Sequence, residues 1–161
     1  MVQPGQSISK IYFIVVIVLT IVFPLSATAI EHFAYTLPFT LELFCKWFIF
    51  SAVGLRLFLA GVRQISKPAF TAKEIFHIHD PASYPIVQEL GFANLCFGLV
   101  GIITLFKADW RIVSAFASGL YYGLAALLHI IKKPAGANEQ LALWSDVFIF
   151  LVLAVYFVQN I

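Results

Sequence analysis

Charge is scarce in this sequence. Ten lysines and arginines and eight aspartates and glutamates make up 11% of 161 residues, against about 25% in an ordinary soluble domain. With 61% hydrophobic residues and a mean hydropathy of +0.95, so short a chain has no soluble core large enough to hold its apolar surface. Cysteine is nearly absent. Cys45 and Cys96 each lie inside an apolar run, form no metal or redox pair, and read as small hydrophobes, so no disulfide is expected. Basic runs are also missing, and the net charge of +2 comes with no nucleic-acid module. What remains is an integral membrane protein.

Its apolar runs predict five membrane helices at about 11–30, 39–62, 86–106, 112–131 and 141–158, in a single domain spanning 1–161. The first run also has the form of a signal peptide, with Lys10 before it and Ala27-Thr28-Ala29 near its end. About 20 apolar residues are enough to cross ~30 Å of hydrocarbon, and a retained helix is the reading adopted. In the second run, Glu42 and Lys46 stand in the i, i+4 order that supports a helix. Short connections make neighbouring helices antiparallel. One side collects Lys10, Arg63, Lys67, Lys73, Lys132 and Lys133, and the other Lys46, Lys107 and Arg111. The basic excess marks the cytoplasmic side, so the N-terminus is expected inside and the C-terminus outside. The loop 63–85 is then cytoplasmic, and Thr71-Ala72-Lys73-Glu74 has capping-box form. It predicts a brief helix whose Ile75, Phe76 and Ile78 lie on the membrane surface.

One stretch organises the rest. Gly91, Asn94, Gly98 and Gly101 fall at i, i+3, i+7 and i+10, a narrow stripe without bulk that lets another helix approach, with Asn94 as a hydrogen-bonding group. In the fourth span Ser114, Ser118, Tyr122, Ala125 and His129 form a polar stripe. Ala115, Gly119, Gly123 and Ala126 form a small-residue face. Such a helix belongs among protein neighbours.

Ionisable groups at membrane depth are functional candidates, because each costs about 2.5–3.5 kcal/mol to insert. Arg56, Glu89, Asn94, His129 and Asp146 all fall in the cytoplasmic half when depth is counted along the helices, and Tyr122 shares the stripe of His129. These six are the candidate ligand-binding residues. His129 is expected to meet Glu89, Asp146 or Arg56 inside the bundle. Each has a plainer reading: Glu89 and His129 facing headgroups, Arg56 snorkelling, Asn94 joining helices, Asp146 starting a helix. His77 and His79, spaced i, i+2, do not share a helix face, and no second ligand cluster follows, so no metal is expected. The seventeen phenylalanines read as lipid-facing packing. No pattern names a catalytic group or a cofactor.

The set Gln88-Glu89-x-Gly91-x-x-Asn94-Leu95-x-x-Gly98, Gly119-Leu120-Tyr121-Tyr122-Gly123 with His129, and Asn138-Glu139 with Asp146 resembles small bacterial membrane proteins grouped as a domain of unknown function. The resemblance covers roughly 70–153. More distantly the chain is similar to DoxX-like proteins, helical bundles sometimes associated with quinone-linked oxidoreductases, although no further DoxX feature is present. The resemblance implies a bacterial inner-membrane protein and no reaction. The function expected is binding of a small amphipathic ligand or ion in a cytoplasm-facing polar pocket. The alternatives are a membrane enzyme or oxidoreductase subunit acting on a lipid or quinone, and a structural subunit. Membrane lipids are the expected surroundings. Further copies or a partner membrane subunit are left open.

Overall fold

A computed structural model describes residues 8–134 and 136–161; residues 1–7 and 135 of the expected domain lie outside the described residues. Five helices follow in order: α1 Lys10–Tyr35, α2 Leu41–Ser66, α3 Pro81–Ile103, α4 Trp110–Lys132 and α5 Ala137–Asn160. Each is long and apolar enough to cross a membrane, no strand occurs among the described residues, and the helices pack as an antiparallel bundle. The protein is an all-α polytopic membrane bundle. The spans overrun their predicted limits at several polar ends, because a helix continues into the headgroup layer after its apolar run stops. α1 reaches Tyr35 before Thr36 closes it in a left-handed conformation, φ 51°. α5 starts at Ala137, so Asn138 and Glu139, expected in a loop, lie buried in its first turn.

The glycine stripe does what its spacing implies. α2 answers it with Gly54 and Gly61, and the two backbones touch. A methyl group on Gly101 would lie 2.6 Å from the Gly54 nitrogen, and one on Gly61 would lie 2.6 Å from the Gly91 carbonyl oxygen. Asn94 Nδ2 donates to Gln64 Oε1 at 2.6 Å, closing the seam. α4 and α5 form the second close pair, where Gly119 faces Leu153 and Gly123 faces the Phe150 ring. The apolar core lies between the pairs, built on Phe48, Ile49 and Val53 of α2, Ala115 of α4, and Ile149 and Leu153 of α5.

Two helices carry widened, π-helical stretches, Val18–Val22 in α1 and Ile49–Leu55 in α2. The first precedes Pro24, whose ring collides with the carbonyl four residues back in a regular helix. Wide turns loosen the backbone ladder, and here side chains take up its carbonyls. Ser51 Oγ donates to the Leu19 carbonyl at 2.5 Å, and Tyr122 Oη donates to the Ala52 carbonyl at 2.9 Å. Both bonds join different helices.

At the end away from the 67–80 segment, the expected Glu42–Lys46 pair gives way to contacts between helices. Lys46 binds Glu31 at 2.6 Å, Trp47 Nε1 donates to the same carboxylate, and Glu42 takes Arg111 and the Tyr156 hydroxyl. The segment after α2 also differs from expectation. Thr71–Ile75 is one wide turn with no side-chain cap, and Thr71, Ala72 and Ile75 are buried against the bundle. Only Ile78 among its expected interfacial residues is exposed. The turn plugs the bundle end instead of floating on the membrane.

Ser114 and Ser118 are buried with hydroxyls that make no hydrogen bond. An unmet buried hydroxyl costs about 1–3 kcal/mol, so Ser118→Ala should leave stability unchanged or raise it by about 1 kcal/mol. Unfolding of the purified protein in mixed micelles checks this. A loss of stability would show that the hydroxyl is engaged.

Candidate functional site

Between the two close helix pairs, on the side of the 67–80 segment, lies a cavity of about 600 Å³. α2 contributes Arg56, Arg63 and Gln64, α3 Leu90 and Asn94, α4 Tyr121, Tyr122, His129 and Lys132, and α5 Glu139 and Asp146. Tyr12 of α1 and Phe70, Thr71, Ile75 and Phe76 of the plug complete the wall. The helical period explains the set. Arg56, Arg63 and Gln64 stand at i, i+7 and i+8, and Glu139, Ala142 and Asp146 at i, i+3 and i+7, so each series shares one face.

Three polar groupings line it. In the first, Arg56 Nη2 reaches Asp146 Oδ1 at 3.1 Å and Ser145 Oγ at 2.8 Å, and its guanidinium lies 5.3 Å from the centre of the Tyr122 ring. Arg56 is 9% exposed and Asp146 7%, so this is a buried ion pair at hydrocarbon depth. The second runs Tyr121 to Asn94 to Gln64, the Tyr121 hydroxyl donating to Asn94 Oδ1 at 2.6 Å. In the third, the Glu139 carboxylate bridges two imidazoles, with Oε1 3.2 Å from His129 Nδ1 and Oε2 3.2 Å from His77 Nε2. His77 holds a positive φ of 55° in the segment that delivers it. Such a conformation persists only where its surroundings hold it.

Of the six residues singled out from the sequence, Arg56, Asn94, Tyr122, His129 and Asp146 line this one cavity. Glu89 does not. It is exposed on the outer face of α3, five residues and so roughly 140° around the helix from Asn94. Inside the bundle, His129 bonds Glu139, which was not among its expected partners, and shares the cavity with Arg56 and Asp146. Sequence reasoning missed Gln64, placed Glu139 only in the resemblance and not in the pocket, and weighed His77 only as a metal ligand. The i, i+7 relation of Glu139 to Asp146 was a readable signal for that carboxylate; His77 depends on a loop conformation that no periodicity encodes. His79 is exposed, and among the described residues no three His, Cys, Asp or Glu side chains converge as a metal set.

With this geometry in view, the match to known families becomes informative. A family of unknown function, DUF6790, matches residues 10–160. The chain belongs to that family. The match takes in all five helices and every residue of the cavity. No curated protein and no solved structure matches the chain.

Proposed function

We propose that this DUF6790 protein binds a small amphipathic ligand in the cavity, and that it does so in a bacterial inner membrane with the 63–85 side cytoplasmic. The observation that carries the reading is the cavity itself. Its volume is in the usual range for small-ligand sites, ~300–1,000 Å³, and it combines apolar walls with a few convergent polar groups. Five polar residues kept in one cavity at membrane depth argue for a ligand, since assembly alone needs no ionisable groups. Arg56 would take an acidic group, His129 and Glu139 would exchange protons or accept donors, and Asn94 would hold the geometry. The orientation is supported by the six-to-three division of lysines and arginines between the two ends. An impermeant thiol reagent on intact cells should leave Lys73→Cys unlabelled.

The bridging carboxylate favours a second reading. A glutamate between two imidazoles is an acid–base arrangement, since an imidazole can give a proton at one nitrogen and accept one at the other. A membrane enzyme or oxidoreductase subunit acting on a lipid or quinone would use it. A purely structural subunit would leave the cavity without an occupant.

Native mass spectrometry of the protein released from its own membranes distinguishes them. Binding predicts about one amphiphile per chain, lost in His129→Leu and in Ala125→Phe, which fills the cavity, while both variants stay folded. Turnover of the bound molecule would move the account to the second reading. A bare wild-type chain would favour the structural one.

A further inference from the structure

We propose that the ligand is a membrane amphiphile with an anionic head, a carboxylate or phosphate on a hydrocarbon chain, which enters sideways from the bilayer between α3 and α4. This rests on the pocket reading above and specifies its ligand.

The mouth indicates the route. On α4, Leu124 and Leu128 line the cavity, yet they are 64% and 47% exposed. Side chains on a closed floor do not keep so much free surface, so these mark the opening. Leu124 stands eight residues before Lys132, about 12 Å along the helix, and Leu128 four before it, about 6 Å. Helices of 23–26 residues outreach the ~30 Å hydrocarbon layer by only a few ångströms at each end. The opening therefore lies at acyl-chain depth, where a solute arriving from water would have to cross lipid. Deeper in the bundle α3 and α4 are joined through Tyr121, bonded to Asn94 and stacked on Phe97 at 5.1 Å between centroids. Toward the 67–80 end, Leu90 of α3 and Leu124 and Leu128 of α4 line the cavity instead.

The head follows from charge. Arg56 is nine-tenths buried, and its Nη1 has no hydrogen-bond partner while Nη2 is occupied by Asp146 and Ser145. Arg63 and Lys132 line the same cavity, and among the described residues neither forms an ion pair. Both carboxylates are engaged, Asp146 by Arg56 and Glu139 by the two histidines. Three basic side chains thus face two acids that already have partners. An anionic oxygen makes the stronger bond to a guanidinium, roughly twice a neutral one, and the chain behind it fits the leucine-lined opening.

The test is displacement of cis-parinarate, a fluorescent polyunsaturated carboxylate, from the purified full-length protein in detergent. Oleate and oleoyl-lysophosphatidate should each displace it at about tenfold lower concentration than oleyl alcohol, the size expected for one charge-assisted hydrogen bond. Inorganic phosphate should not displace it. In Arg56→Gln/Asp146→Asn, which removes both charges together, the acid-over-alcohol preference should fall to about twofold or less. Arg63→Gln/Lys132→Gln, at the helix ends, should reduce the same preference should the first pair fail to fold. Leu124→Trp, on an exposed position, should weaken acid and alcohol alike by closing the mouth. Equal binding of acid and alcohol by the wild type overturns the anionic head and leaves the pocket reading standing. Displacement by inorganic phosphate overturns the membrane source. Failure of every amphiphile to bind removes the pocket reading and this inference with it.

Discussion

Asp146→Leu should destabilise the bundle by about 3–5 kcal/mol, the usual consequence of leaving one buried charge without its partner. Arg56 forms no second ion pair among the described residues, and the Ser145 Oγ it also reaches is neutral. Snorkelling does not relieve it. Arg56 stands ten residues before Ser66, about 15 Å along the helix from its end, with its guanidinium against Tyr122. The pair as a whole is not expected to stabilise the fold, because desolvating two charges offsets most of their attraction. Arg56→Met/Asp146→Leu should therefore recover most of the loss. Unfolding midpoints of the two singles and the double form a cycle that measures the coupling. A double variant as unstable as Asp146→Leu would mean that the charges are not coupled.

Gly101→Leu should be of similar severity, about 3 kcal/mol or more, since overpacking costs 1–3 kcal/mol where side chains can give way and more where they cannot. Here the obstacle is backbone: the first carbon alone would sit 2.6 Å from the Gly54 nitrogen and 2.7 Å from its Cα. α2 and α3 would have to separate, taking the Asn94–Gln64 bond with them. Gly119→Ala is the internal comparison. Its added carbon meets only the Leu153 side chain at 3.4 Å, ordinary contact, so its effect should stay within about 0.5 kcal/mol. Gly101→Leu and Gly119→Ala proteins of equal stability would contradict the close α2–α3 seam.

The five spans and the glycine seam were legible because each rests on a repeating property of the chain: apolar length for the spans, and for the seam a period that places residues 91, 94, 98 and 101 on one face. The depth of Arg56, Asn94, His129 and Asp146 followed from the same rise per residue. What depth does not give is the direction around the helix, and Glu89 shows the difference: at the right level, it points away from the cavity. Glu139 escaped for a related reason. A polar pair such as Asn138-Glu139 at the edge of an apolar run reads as loop, although the seven-residue step from Glu139 to Asp146 put the carboxylate on the same face. The wide turns at Val18–Val22 and Ile49–Leu55 are less accessible still, because the bonds that reward them, Ser51 to Leu19 and Tyr122 to Ala52, are between helices. His77 reaches Glu139 only through a left-handed backbone in the plug, which local sequence does not dictate.

A structure of the protein in lipid nanodiscs bears on the binding claim most directly. The account predicts elongated density with its head beside Arg56 and its tail leaving between Leu90 and Leu124 toward the acyl chains. A bundle whose α3 and α4 close, with Leu90 packed on Leu128 and the space beside Arg56 gone, would contradict it.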